Sequence, residues 1–184
     1  MNGKPLLSLP PAAVQKSFNV NLLSHFHTLQ AFLPAMLDRA NGGTIVTVAS
    51  VLGHLGASHL SDYTAAKAGL IAMHASLRAE LSGLTGQSLG AAQIRTILVK
   101  PGQLSTPLFA GVKTPSNFLG PVVEPVVLAK RIVEMIDAGR SGVIAEPFYA
   151  RQVEWLAVLP YGLQSIVRRL SGVDAAMSGF GGSK

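Results

Sequence analysis

Two side chains four residues apart, Tyr63 and Lys67, are of the types that can move a proton to or from a substrate. On a helix this spacing places them on the same face, one turn apart. A free phenol has a pKa of about 10 and is a poor acid or base at neutral pH. Because a nearby ammonium favours the phenolate, we expect Lys67 to lower the pKa of Tyr63. The pair therefore predicts a general acid/base.

A third polar residue, Ser50, lies thirteen residues before Tyr63 and directly after the β-branched run Thr44–Ala49. Its hydroxyl can donate to a substrate carbonyl oxygen as that oxygen gains negative charge. Tyr63 can pass or accept the proton on the same oxygen. No side chain supplies a hydride, so the hydride has to come from a cofactor. These residue types indicate redox chemistry between an alcohol and a carbonyl.

Three short apolar runs predict strands: 44–49, 94–99 and 142–145. They alternate with helical patterns, which predicts an α/β fold with a parallel sheet covered on both faces. In such sheets ligands bind at the carboxyl ends of the strands. Ser50 and the pair Pro101-Gly102 each follow a strand, so we expect them to meet in one crevice with the Tyr63 helix.

Four helices are predicted around these strands. One starts at Pro11, and Pro34 kinks or tightens its last turn before Asn41-Gly42-Gly43. Asp62 is expected to cap a helix to about Leu84, and Pro125 to begin one to about Ala138. The segment 148–170 is expected to form a final amphipathic helix interrupted at Pro160. The apolar positions of the first helix are Val14, Phe18, Leu22, Phe26, Leu29 and Leu33.

Composition narrows the function classes. Of the 184 residues, 48% are hydrophobic and 13% are charged, which is apolar for a soluble domain and indicates surface buried against a missing segment, a subunit or a membrane. The net charge is +6, but without a basic run or basic–aromatic stripe, so nucleic acid is not expected as a partner. There is no cysteine, which excludes thiol catalysis and cysteine–metal sites. His25 and His27 do not share a helix face, so no metal site is predicted.

The sequence resembles the short-chain dehydrogenase/reductase family, from about Ser8 to Ala145. The segments that carry the resemblance are Phe18-Asn19-Val20-Asn21, Ile45-Val46-Thr47-Val48-Ala49-Ser50, Tyr63-Thr64-Ala65-Ala66-Lys67-Ala68-Gly69 and Pro101-Gly102-Gln103-Leu104-Ser105-Thr106. The branch that it is most similar to acts on lipid-like alcohols and ketones such as retinoids and steroids. The resemblance implies an NAD(P)-dependent oxidoreductase of lipid metabolism that acts on a small-molecule secondary alcohol or ketone. The loop from Gln103 to Val123 contains Phe109, Phe118 and Leu119, which suggests an apolar substrate.

The resemblance also implies roles for individual residues. The catalytic residues would be Asn21, Ser50, Tyr63 and Lys67. Asn21 would hold a helix-interior water that relays protons through Lys67, which would also bind the nicotinamide ribose. The residues in contact with NAD or NADP would be Tyr63, Lys67, Pro101, Gly102, Leu104 and Thr106, with Leu104 and Thr106 near the carboxamide and pyrophosphate.

The family's glycine-rich turn, which takes the pyrophosphate at a helix N-terminus, has no counterpart in this sequence. The residue that selects NAD or NADP is missing with it. We therefore expect residues 1–147 to form the carboxy-terminal part of a Rossmann-like domain with a partial doubly wound sheet. Two readings of function stay open: an active oxidoreductase, or a truncated, non-catalytic chain that serves at most as a dimerisation or interaction module.

Residues 148–184 are expected to comprise the amphipathic helix and a Gly/Ser tail. The apolar face of 148–170 favours core or subunit packing, a lid over an apolar substrate, or a peripheral membrane or lipid-droplet contact. The resemblance implies a homodimer through helices 11–37 and 62–84. No signal-peptide core and no apolar run of roughly 18 residues is present. The expected location is intracellular, either cytoplasmic or peripheral on a membrane or lipid droplet.

Overall fold

The computed structural model describes residues 1–107 and 121–172. Its sheet has three parallel strands in the order β1 (Gly43–Val48), β2 (Ile94–Pro101) and β3 (Gly142–Glu146). In the register, Val48 lies opposite Val99 and Pro101 lies opposite Glu146. The three carboxyl ends therefore form one edge of the sheet. All three predicted strands are confirmed, with ends that move by one or two residues.

The first predicted helix is present as three consecutive segments. They are α1 (Pro11–Phe18), a π-helical turn (Asn19–Leu23) and α2 (Ser24–Leu37). A π turn carries one extra residue and frequently lies at a functional site. Between Pro11 and Leu37, the α-helical geometry changes only at this π turn, which contains the predicted catalytic residue Asn21.

Helices cover both faces of the sheet, which confirms the doubly wound arrangement. The long α3 (Ser61–Gly83) places Leu70 and Met73 against Leu98 of β2 on one face. On the opposite face, α4 (Pro125–Asp137) packs Leu128 against Ile97 and other residues of β2 and β3. Apolar side chains thus alternate between two separate clusters along β2, as a strand buried on both faces requires.

Asp62 does not cap α3, contrary to the sequence prediction. The residue before the helix is Leu60, and no side chain caps the first turn. Asp62 lies inside that turn, is buried, and accepts a hydrogen bond of 2.7 Å from Asn2 Nδ2. Its carboxylate therefore connects the amino-terminal segment to α3, and the helix dipole favours its charge there.

The segment 148–170 is not one helix interrupted at Pro160, which is a second correction. It forms two 3₁₀ stretches, Phe148–Arg151 and Val153–Val158, followed by α5 (Tyr161–Ser171). The residue before Pro160 is extended, as proline requires of its predecessor. Ala150 and Val153 are buried against the end of the sheet, so these 3₁₀ turns follow the sheet edge and do not extend into solvent.

One polar contact of the core was not predicted. His74 of α3 and Thr47 of β1 are both buried, and His74 Nδ1 lies 2.9 Å from Thr47 Oγ1. Burial lowers the pKa of His74, which keeps its imidazole neutral in this contact. Closer to the surface, Glu146 at the end of β3 pairs with Arg131 of α4.

Candidate active site

Ser50 lies at the carboxyl edge of the sheet, immediately beyond β1. Its oxygen accepts the backbone N–H of Leu52 at 3.2 Å, and its hydroxyl donates to the Pro101 carbonyl at 3.5 Å. Ser50, the predicted catalytic serine, therefore connects the carboxyl end of β1 to the carboxyl end of β2. Ser50 is buried and its oxygen has a fixed position, which a group that polarises a carbonyl requires.

Tyr63 and Lys67 lie on the first turns of α3, as the sequence predicts. Tyr63 is 5% exposed, and its hydroxyl lies near the Ser50 side chain. The Nζ atom of Lys67 lies 5.7 Å from the centroid of the Tyr63 ring and donates a 3.0 Å hydrogen bond to the Val48 carbonyl. The structure thus brings Ser50, Tyr63 and Lys67 together.

The charge states of this pair differ from the sequence prediction. Burial raises the pKa of Tyr63, and the nearby Ser50 side chain opposes this rise more weakly. The sequence predicts a pKa below the ordinary value of a phenol, whereas in the folded chain the pKa of Tyr63 lies above that value because burial removes the phenol from water. Burial also lowers the pKa of Lys67. At neutral pH Tyr63 is a phenol that can donate a proton.

Asn21 lies on the π turn, and α3 packs closely against that turn. A Cβ on Gly69 would lie 3.0 Å from Leu22 Cδ2, so glycine permits this approach. The side-chain amide of Asn21 donates to the Ser17 carbonyl at 2.9 Å, within its own helix. Its role in holding a water for Lys67 stays a prediction.

Pro101 is the last residue of β2, and Gly102 follows it at the same edge of the sheet. Gly102 N–H donates to the Glu146 carbonyl at 2.7 Å, and a Cβ there would lie 2.9 Å from Pro147 Cδ, so only glycine fits. Leu104 packs against the core cluster of β2 and pairs with Val123. Thr106 N–H donates to the Leu104 carbonyl at 2.8 Å. Contacts of these residues with a cofactor stay predictions.

The residues with aromatic or large apolar side chains that suggested an apolar substrate, Phe109, Phe118 and Leu119, lie outside the described residues. Within the described ranges, no group of three or more metal-ligating side chains converges. His25 is close enough to Lys67 for the ammonium to add to burial in lowering the pKa of His25.

Sequence reasoning missed a charged cluster beside Ser50. Lys100, at the end of β2, is buried and contacts Glu154. His54, in the loop after Ser50, lies near the same carboxylate. The one available signal was Lys100, a charged residue directly after the apolar residues 97–99 of a predicted strand. Its partner Glu154 is 54 residues away, so no sequence spacing indicates the pair.

A parallel sheet covered on both faces, with Ser50, Tyr63 and Lys67 at its carboxyl edge, is a Rossmann-like arrangement. Residues 1–117 match the family model described as short chain dehydrogenase. The chain belongs to the short-chain dehydrogenase family, which confirms the resemblance.

Similar proteins support this assignment. The uncharacterized oxidoreductase TDA5 of Saccharomyces cerevisiae is 38% identical over 164 residues, covering 89% of this chain and 48% of the relative. Human 17-beta-hydroxysteroid dehydrogenase 13 is 32% identical over 169 residues, covering 92% and 53%. The chain thus spans about half the length of the curated relatives it matches. The name of the second relative agrees with the steroid-like branch expected from the sequence.

A solved structure, 4-hydroxyisoleucine dehydrogenase complexed with NADH, superposes with a TM-score of 0.61 at 22% identity, covering 78% of this chain and 62% of that one. Acetoin dehydrogenase YohF from Salmonella typhimurium also has a TM-score of 0.61, at 23% identity, covering 78% and 58%. These likenesses confirm the fold class.

Proposed function

We propose that this chain carries the proton-transfer and substrate-orienting site of an oxidoreductase that interconverts a secondary alcohol and a ketone with a nicotinamide dinucleotide. The observation that carries the proposal is the position of Ser50 beside Tyr63 at the sheet edge, with the Lys67 ammonium 5.7 Å from the centroid of the Tyr63 ring. The hydroxyl groups of Ser50 and Tyr63 can therefore both hydrogen-bond to one substrate oxygen.

In the reducing direction, Ser50 donates a hydrogen bond to the carbonyl oxygen and Tyr63 transfers its proton to that oxygen. The raised pKa of Tyr63 keeps the proton on the phenol until charge develops on the substrate. The buried Lys67 ammonium stabilises the phenolate that remains. In the oxidising direction the same groups act in reverse, with Tyr63 taking the proton of the alcohol.

The residues present suit a nicotinamide dinucleotide. Lys67 uses one N–H on the Val48 carbonyl, which leaves donors of its ammonium for the hydroxyl groups of a ribose. Lys67 and Tyr63 would hold that ribose, and Pro101, Gly102, Leu104 and Thr106 would contact the rest of the nicotinamide end. When bound, the nicotinamide supplies or accepts the hydride at the substrate carbon.

The surroundings of Ser50 favour an apolar substrate. Val51 is buried in a cluster with Ala145, Ala150 and Val153, and Leu52 and Leu55 pack against it. A secondary alcohol or ketone on a largely hydrocarbon skeleton could pack on these apolar side chains, next to the charged cluster of Lys100, Glu154 and His54. The names of the hydroxysteroid dehydrogenase relatives support the same substrate class.

The direct test is titration of the purified chain with NADH and NADPH, followed by nicotinamide fluorescence. We expect saturable binding in the micromolar range, and the preferred dinucleotide identifies the cofactor. Turnover is then measured with a hydroxysteroid and its ketone. Absence of binding up to millimolar concentrations would contradict the proposal for this chain.

A non-catalytic interaction module is the second candidate, and a groove between α2 and α3 favours it. The groove measures about 530 Å³ and is largely apolar, with Phe26, Leu29 and Leu33 on one side and Met73 and Leu77 on the other. Phe26 is 42% exposed. The two helices are those expected to pack against their copies in a homodimer, so we propose a second copy of this chain as the occupant.

Sedimentation equilibrium tests the dimer. We expect the parent chain to dimerise and Phe26→Glu to be monomeric, because a carboxylate in the closed groove would be buried without a partner. The exposed substitution Gln87→Glu is the matched control. A parent chain that is monomeric at all concentrations would contradict the proposal, and a dimer that binds no nicotinamide would favour the non-catalytic alternative.

We also propose that the apolar face of α5 rests on an anionic membrane or lipid-droplet surface. Leu163, Ile166 and Leu170 lie on one helix face and are exposed, Leu170 by 75%. Arg168 and Arg169 stand in the last turn. No helix within residues 1–107 and 121–172 is long and apolar enough to cross a membrane. An amphipathic helix with these features binds in the plane of the interface.

Flotation with vesicles that contain phosphatidylserine tests this contact. We expect the chain to float with the vesicles at low salt and Ile166→Glu to remain at the bottom, because a carboxylate opposes both burial and the lipid charge. Ser165→Glu places the same charge on the opposite helix face and serves as the control. A parent chain that does not float at low salt refutes the contact.

A further inference from the structure

The carboxyl end of β2 carries a buried charge that the proposed reaction does not use. Lys100 is 4% exposed, and its Nζ atom lies 2.7 Å from Glu154 Oε2. An ammonium withdrawn from water needs a close counter-charge, because burial without one is strongly destabilising. Lys100 therefore depends on Glu154, which lies on the 3₁₀ stretch Val153–Val158.

The same carboxylate oxygen also approaches the loop that follows Ser50. Glu154 Oε2 lies 3.8 Å from His54 Nε2, an atom that is buried and has no hydrogen-bond partner among the described residues. The hydrogen bond from Lys100 lowers the pKa of Glu154, so its side chain is ionised at neutral pH. One carboxylate therefore links β2, the Ser50 loop and the carboxy-terminal segment.

Further contacts hold the carboxy-terminal segment against this edge. Val153 and Ala150 share a buried cluster with Val51, the residue after Ser50. The Arg168 guanidinium donates a 2.7 Å hydrogen bond to the Gly56 carbonyl in the same loop. Lys100 itself precedes Pro101, whose carbonyl accepts the Ser50 hydroxyl. The ion pair thus lies one residue from the catalytic contact.

We propose that Lys100 and Glu154 are a positioning pair that holds the segment Phe148–Val158 against the Ser50 loop, where it forms the substrate-side wall of the active site. This inference rests on the proposed function for its effect on catalysis. The pair acts through Ser50 and the wall and does not touch the reacting atoms. Its loss should weaken substrate binding more than it slows the chemical step.

The test begins with Glu154→Gln, which keeps the side-chain shape and removes the charge. Trp155 is the single tryptophan of the chain and adjoins Glu154, so its fluorescence anisotropy reports the mobility of the wall. We expect the anisotropy to fall, KM for the ketone to rise about tenfold, and kcat to fall less than about threefold, the pattern of lost uniform binding. Glu134→Gln, on the exposed side of α4, is the matched control and should change none of these.

A second variant separates positioning from stability. Lys100→Met combined with Glu154→Gln removes both charges, so no unpaired ammonium remains and the unfolding midpoint should return towards that of the parent. The anisotropy and KM should stay altered, because the tether is still absent. Recovery of KM together with stability would overturn the positioning role.

Unchanged anisotropy in Glu154→Gln would overturn the tether itself, and unchanged KM despite a mobile Trp155 would overturn its catalytic consequence. If the parent chain shows no turnover, the proposed function fails and the catalytic part of the inference falls with it. The anisotropy of Trp155 still shows whether the ion pair holds the segment Phe148–Val158 in place.

Discussion

Tyr63→Phe should lower kcat by about a thousandfold while the chain stays folded. The substitution removes one oxygen, which is the atom that exchanges the proton with the substrate, and general acid/base groups contribute on the order of 10² to 10⁴ in rate. The ring remains, and with it the packing on Leu60. Loss of the single hydroxyl group should reduce the free energy of unfolding by only about 1 kcal/mol.

The measurement compares steady-state turnover of ketone and urea unfolding for the parent and for Tyr63→Phe. Tyr161→Phe is the matched control, because Tyr161 on α5 is 85% exposed. We expect the control to keep parental activity. If Tyr63→Phe retains most of the activity, Tyr63 is not the acid/base and the proposed mechanism is refuted.

Lys67→Met should lower kcat by about a hundredfold and weaken nicotinamide dinucleotide binding by about tenfold. Methionine keeps most of the buried apolar stem, so the packing of α3 is preserved while the ammonium is lost. Without that charge the phenolate left after proton transfer has no cationic neighbour. The hydrogen bond to the Val48 carbonyl and the donors proposed for the ribose also disappear.

The pH profile distinguishes this electrostatic role from a structural one. Burial lowers the pKa of Lys67, so its ammonium should lose its proton at a lower pH than a free lysine, whose pKa is about 10.4. Activity that depends on the charge should therefore decline on the alkaline side before free lysine titrates, and this limb should be absent in Lys67→Met. An unchanged profile with unchanged dinucleotide affinity would contradict the role.

Lys130→Met serves as the control for the loss of a positive charge, since Lys130 lies on the exposed face of α4. We expect it to leave the rate, the dinucleotide affinity and the alkaline limb unchanged. A comparable effect in Lys130→Met would show that net charge, and not the position of Lys67, determines the result.

Several features could be predicted because they depend on residues close together in the chain. The spacing of Tyr63 and Lys67 defines a shared helix face wherever that helix is packed. The apolar runs that became β1, β2 and β3 are too short and too rich in β-branched residues for the alternative of long helices. Proline at the first position of α4 indicated its start correctly.

Other local predictions failed because tertiary contacts outweighed local preference. Asp62 has the right side chain for a cap, yet it turns to Asn2, which is 60 residues away. The segment 148–170 has helical periodicity, but Ala150 and Val153 are held at the sheet edge in 3₁₀ turns. In each case a contact distant in sequence changed the structure that the local pattern predicts.

The sequence by itself determined the class of fold and the placement of the residues proposed for proton transfer at strand and helix ends, because periodicity and spacing encode local geometry. Only the tertiary structure decided how these residues behave. The pKa of Tyr63 rises because folding withdraws it from water, which no spacing reports. Lys100 and Glu154 meet across 54 residues because the strand order brings the carboxy-terminal segment to the Ser50 loop. Burial and long-range contacts are properties of the whole packed chain, so they become visible only once it is folded.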